Sequence, residues 1–189
     1  MNQSLEREIK LRFDSPAEAR AAVLAIGAIP CASRRLQQDS LFDTDDGQLE
    51  DRRSVVRVRR DGSRCMLTFK GPTQPGPMKL REELETSAGD ADVLHRILDR
   101  LGFHPWFRYE KYREEFSREG IVVALDETPI GTFVELEGTA EGIQAAAAAM
   151  GKGPGDYILE SYYRLFANNR EALGFKGTDM VFDDPGRAQ

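Results

Sequence analysis

The feature that most constrains this chain is an alternation that puts charge on one side of nearly every strand. In "SLEREIKLRF", residues 4–13, Leu5, Ile9, Leu11 and Phe13 carry one face at period two, interrupted by Arg7, while Glu6, Glu8, Lys10 and Arg12 fill the other. A strand that alternates in this way has one face for a core and one for something else. The pattern returns down the chain. Arg57 and Arg59 stand opposite Val56 and Val58, and Lys70 opposes Phe69. Arg81, Glu83 and Glu85 share a face, as do Lys111 and Arg113. Glu135 and Glu137 stand opposite Val134 and Leu136, and Asp126 opposes Leu125.

Two architectures meet this pattern. One is a half-exposed sheet whose charged face is solvated. The other is a closed barrel with the charges inside. A solvated face tolerates Ser, Thr, Gln and Asn, yet Glu, Lys and Arg occupy nearly all of these positions. About eight strands can be read, enough to close a barrel. The expected fold class is therefore α+β, mainly β: a closed eight-stranded antiparallel β-barrel forming a charged tunnel, with helices packed outside on the apolar face.

The order of elements supports this. Three charged strands, "EREIK", "REELE" and "VELEG", each lead into a helical stretch that ends Gly-x-x-Pro, at Gly27/Pro30, Gly102/Pro105 and Gly151/Pro154. The sequence reads as a degenerate internal repeat. In the first unit Ser15 is the expected N-cap, Pro16 the first helical residue and Glu18 the closing member of a capping box. Between the units lie a strand over 35–43, a hairpin over 54–71 turning at Asp61-Gly62, a second over 104–128 turning at Glu119-Gly120, and a strand over 131–139. Residues 43–52 and 73–78 read as polar or flexible loops, 156–169 as a late helix, and 183–189 as a disordered tail. A single domain over 1–182 follows.

Composition narrows the chemistry. Net charge is −6, so nucleic acid is not the expected partner, even though "RRSVVRVRRDGSR" holds six arginines; they alternate with valines rather than exposed aromatics. No apolar run approaches a membrane span, and charge by Glu6 argues against a signal peptide. The expected setting is cytoplasmic, as a monomer or homodimer, with Cys31 and Cys65 as free thiols. His95 and His104 are the only histidines, and both read as packing residues. A metal here must be hard and oxygen-ligated. Same-face carboxylates about 6.5 Å apart at Cα can grip Mg²⁺ or Mn²⁺, while facing Arg and Lys suit phosphate oxygens. Together they point to a metal–polyphosphate ligand.

At this point the residues resemble a known family. "EREIK" fits the ExExK signature of the CYTH domain, the triphosphate tunnel metalloenzymes. "QQDSLFD", "VVRVRR", "LTFKGP", "REELE", "EKYR", "VALDE", "GTFVELEG" and "SYYRL" follow in order. The ordered set is specific where ExExK alone is not. The resemblance implies that Glu6, Glu8, Asp126, Glu135 and Glu137 bind two Mg²⁺ or Mn²⁺ ions. Lys10, Arg57, Arg59, Lys70, Arg81, Lys111 and Arg113 would hold the triphosphate, with Lys10, Arg113 and Asp126 catalytic and Asp39, Glu83 and Glu85 lining the tunnel. The short "VALDETPIG" and the length near 180 look most like the class IV adenylate cyclases, which convert ATP to cyclic AMP and pyrophosphate. Inorganic tripolyphosphatase, thiamine triphosphatase and a non-catalytic polyphosphate-binding module are the alternatives. Leu41 replaces the usual tyrosine of "QxDxYF", a change expected to leave the chemistry intact. Replacing Arg57, Arg59 or Lys70 is expected to weaken binding and to raise stability by relieving like-charge repulsion.

Overall fold

Alternation this regular closes on itself. The computed structural model describes residues 5–183; the expected tail at 183–189 lies outside the described residues except for Asp183. Eight strands form a closed antiparallel barrel: β1 Leu5–Phe13, β2 Ile29–Asp43, β3 Val55–Asp61, β4 Arg64–Lys70, β5 Lys79–Ala88, β6 His104–Arg118, β7 Ile121–Thr128 and β8 Gly131–Glu137, joined in the order β1-β5-β4-β3-β2-β6-β7-β8. β1 is the seam, pairing β5 on one side and β8 on the other. The solvated-sheet alternative is thereby excluded, because closure leaves the charged face inside.

Register turns the sequence pattern into contacts. Lys10 stands opposite Glu135 and Glu8 opposite Glu137. Glu6 meets Arg81, Lys70 meets Glu83, Asp39 meets Arg59, and Arg113 meets Asp126. The apolar residues point outward, where helices cover them. α1 Pro16–Ala25 and α4 Ala140–Ala149 lay Ala19, Val23, Ile143 and Ala147 on Ile9, Leu11, Val123, Val134 and Leu136. α3 Ala91–Arg100 covers Val58 and Cys65 with Leu98, and His95 meets the Phe42 ring edge-on at 5.0 Å. All three helices end at glycines with left-handed backbone, Gly27, Gly102 and Gly151.

Several elements differ from expectation, each for a local reason. β2 starts six residues early, at Ile29, because Ile29 finds a partner in Ser117. The loop after it holds a short helix, α2 Gln48–Asp51: the Asp43 carboxylate accepts from the backbone N–H groups of Thr44, Leu49 and Glu50. Ser15 caps α1 as expected, but Glu18 accepts from Asp14 N–H, one residue before the cap. Residues 73–78 are anchored, since Met78 is buried in the core under α1 and α4. The late helix is shorter. Pro154–Asp156 form a 3₁₀ turn, Ile158 then exchanges two backbone hydrogen bonds with Lys10, and α5 runs only over Tyr162–Asn169, capped by Ser161.

β7 covers the edge of β6 only from Tyr112 onward. The part before it is filled by the chain's last described segment. Met180 N–H donates to Arg108 O, Glu110 N–H donates to Met180 O, and Asp179 accepts from Arg108 N–H, each at 2.9 Å.

Candidate active site

Inside the barrel lies a cavity of about 640 Å³, within the ~300–1,000 Å³ of small-molecule sites. Eight Lys and Arg side chains and seven Glu side chains line it among the described residues. They fall into three groups.

On the β1/β5/β4 wall, Glu6 accepts from Lys70 at 2.8 Å and from Arg81 at 3.0 Å, and Lys70 also reaches Glu83 at 2.8 Å. Glu8 accepts from Lys79 at 2.6 Å and lies 3.4 Å from Lys10. Burial alone would push the Glu6 carboxyl up, and Glu8 adds to that, but Lys70 and Arg81 overcome both and bring it down to about 2. Glu8 and Glu135 are likewise held well below the usual carboxylate range, against burial, by Lys10 and the cations around them.

On the β6/β7/β8 wall, Asp126 is fully buried and surrounded by donors. Arg113 grips it with two hydrogen bonds of 2.6 Å, Lys111 with one of 2.8 Å, and the Tyr162 hydroxyl with one of 2.7 Å. Arg113 bridges on to Glu135, which also faces Lys10 at 3.3 Å. The Tyr162 ring lies 5.2 Å from the Lys10 ammonium and 5.1 Å from that of Lys111. Burial, with Arg113 alongside, pushes Lys111 down to about 8. Burial does the same to Lys79, with Lys10 and Arg81 adding to it against Glu8.

The β2/β3/β4 wall is built on Asp39. Arg59 donates to it at 2.8 Å, and Arg57 Nε lies 3.5 Å away. Arg57 Nη2 also donates to Thr68 at 3.1 Å and to Glu85 at 3.4 Å. Its buried Nε makes no hydrogen bond. This wall has donor capacity left for an anion.

Glu137 is the exception. It reaches solvent and forms no hydrogen bond or ion pair among the described residues; desolvation by the wall around it, together with Glu6, Glu8 and Glu83, pushes its carboxyl up to about 7. Acidic charge thus accumulates where β1 meets β8. No three His, Cys, Asp or Glu side chains of the described residues converge into a metal centre by themselves. The oxygen donors here suit Mg²⁺, which is commonly held by one or two carboxylates plus substrate phosphates. Glu137, with Glu6 or Glu8 across the β1 seam, could hold such an ion together with substrate phosphates.

All fifteen residues singled out in the sequence point to this interior or to the layer just behind it. Asp39 and Asp126 support the cations, and Glu85 and Glu137 are the two exposed members of the set. The sequence reading missed Lys79, Thr68 and Tyr109; Tyr162 and Tyr163 of "SYYRL" read as packing residues able to reach a tunnel mouth, and both line the cavity. The three missed residues share parity with Arg81, Lys70 and Lys111, so period two could have found them. Tyr162 enters from α5. No described helix is long and apolar enough to cross a membrane.

The comparisons with known proteins agree with this geometry. A Methanocaldococcus jannaschii protein named a "putative adenylate cyclase" is 28% identical over 134 residues, 70% of this chain and 76% of that one. A Vibrio parahaemolyticus structure described in the same words superposes with a TM-score of 0.77 at 18% identity, over 88% of this chain and 99% of that one. A Hippeastrum structure, whose description reports a dominant triphosphatase activity, has a TM-score of 0.64 at 22% identity, over 87% and 96%. The CYTH domain profile matches residues 4–162, and the chain belongs to the CYTH domain family.

Proposed function

We propose that the barrel binds a triphosphate together with Mg²⁺ or Mn²⁺ and that the protein is an adenylate cyclase converting ATP to cyclic AMP and pyrophosphate. The observation that carries the triphosphate reading is a single cavity lined by eight cations that also holds the unpaired carboxyl of Glu137 beside Glu6 and Glu8. Phosphoryl and nucleotidyl transfer depend on positioning and charge neutralisation more than on covalent help from the protein. Arg57, Arg59, Lys70 and Arg81 hold the phosphate chain from one side, and Lys10, Lys111 and Arg113 from the other. Asp126 and Tyr162 fix the latter set in place, Asp126 with its oxygens committed to those donors. A bound divalent ion would neutralise phosphate charge and lower the pKa of the attacking hydroxyl. In the cyclase reaction the ribose 3′ hydroxyl gives up its proton to solvent, its oxygen bonds to the α-phosphorus, the bond from the α-phosphorus to the oxygen bridging to the β-phosphate breaks, and that oxygen leaves as part of pyrophosphate.

Triphosphate hydrolysis is the second reading. The charged walls need no nucleoside to hold tripolyphosphate, and a structural relative is described by that activity. Incubation with Mn²⁺ and either ATP or tripolyphosphate, followed by phosphorus NMR, separates the two. Cyclic AMP and pyrophosphate without orthophosphate are expected. Rapid orthophosphate from tripolyphosphate with negligible cyclic AMP would install the hydrolase instead. Excess chelator is expected to abolish turnover, and full activity in its presence would remove the metal. Arg57→Ala or Lys70→Ala is expected to weaken triphosphate binding by about 1.5–3 kcal/mol for each charged hydrogen bond lost, measured by calorimetry.

A further inference from the structure

One part of the cavity is not charged. Leu41, Val55, Trp106 and Tyr163 line it there. Leu41 stands in register with Arg57 on one side and Phe107 on the other. Val55 lies two residues from Arg57 on the same face of β3, so this apolar surface begins about 7 Å along the strand from the basic wall. The Trp106 indole packs perpendicular to the Tyr163 ring at 4.7 Å, and Tyr163 packs against Phe107 at 5.0 Å. These contacts fix both rings, yet Trp106 stays 43% exposed. Leu41, standing where the family's motif carries a tyrosine, keeps the floor of this region apolar. A bare polyphosphate has no apolar surface to bury against such a lip.

We propose that Trp106 and Tyr163, over Leu41 and Val55, form a subsite for a flat heteroaromatic ring attached to the triphosphate, a nucleobase, and that this subsite makes the protein prefer a nucleoside triphosphate to inorganic tripolyphosphate. The proposal rests on the triphosphate reading of the barrel. Stacking of a base on an aromatic side chain is tolerant of base identity, so the lip selects for a base without choosing strongly among bases.

Trp106 is the only tryptophan in the chain, so its fluorescence reports on this subsite alone. The test titrates the wild type, Trp106→Ala, Trp106→Phe and Lys70→Ala with methylene-bridged ATP and methylene-bridged triphosphate, both resistant to cleavage, in Mg²⁺. Binding is followed by calorimetry and, in the wild type, by fluorescence. The nucleotide is expected to change Trp106 emission and the bare triphosphate to leave it nearly unchanged. Trp106→Ala should weaken nucleotide binding at least about tenfold and leave the bare triphosphate within twofold. Trp106→Phe should recover most of the loss, and Lys70→Ala should weaken both ligands alike. If Trp106→Ala affects both ligands equally or neither, the subsite is overturned while the barrel's reading stands. If neither ligand binds the wild type, the triphosphate reading falls and takes the subsite with it.

Discussion

Glu137 and the two depressed lysines carry the clearest consequences at the scale of single residues. A carboxyl pushed up to about 7 by desolvation and by Glu6, Glu8 and Glu83 must lose its proton before it can serve a cation. Protons therefore compete with metal below that pH. Apparent Mg²⁺ affinity is expected to rise as pH goes from 6 to 8 and to flatten above, and Glu137→Gln should remove most of that slope; a profile unchanged by the substitution would refute the assignment. Lys79 and Lys111, held near 8 by burial and neighbouring cations, are each about half neutral at pH 8. An incoming polyanion raises both, so triphosphate binding at pH 8 to 8.5 should take up protons. Calorimetry in two buffers of different ionisation enthalpy measures this, and identical heats would exclude it. The stability expectation for the arginines reverses. Arg57, Arg59 and Lys70 are each paired with carboxylates, and Arg59→Ala would leave the fully buried Asp39 side chain with only a partial partner. That variant should lose stability, by up to about 3–5 kcal/mol, measured by denaturant unfolding. Alternation alone reveals which side chains face inward. It does not reveal that each cation already has an anion, since pairing depends on the register between strands distant in sequence.

Local signals fixed the helices and tight turns well, because their determinants sit within a few residues. Ser15, Asp90 and Thr139 each accept the backbone N–H groups that a helix start leaves unpaired. The elements read less well were those set by remote partners. β2 extends because β6 is there to pair with it, and residues 157–159 stay extended because Ile158 is tied to Lys10. Gly138, at the exit of β8, has φ 147°, and a Cβ there would lie 2.8 Å from Ile121 Cγ2 and 3.0 Å from Gly120 O. Gly138→Ala is thus expected to cost about 1–3 kcal/mol through backbone strain beside the β6–β7 turn; an unchanged melting temperature would contradict this. The segment around Met180 offers a second check. Ending the chain after Gly174 exposes the free stretch of the β6 edge and removes a fully buried methionine. A loss of about 2–5 kcal/mol is expected, although the family match itself stops at residue 162.

For the molecule as a whole, the paired interior means that the ligand-free barrel is electrostatically near balance, and that a triphosphate with its cation replaces internal partners rather than filling a purely basic hole. Binding only to the folded state, it should raise the melting temperature, by the equivalent of about 2.7 kcal/mol at a hundred times Kd. No shift with either ATP or tripolyphosphate would argue that the interior pairs are too tight to open. The seam also orders events in time. β1 finds β5 only after residue 88, and its other edge stays open until β8 ends at Glu137. Residues 5–13, which carry Glu6, Glu8 and Lys10, must therefore wait for both partners, half-paired at best until β8 is made. A barrel closed between such distant segments folds late, on the millisecond-to-second scale typical of β topologies with few local contacts, and its site comes into being only at that last closing step.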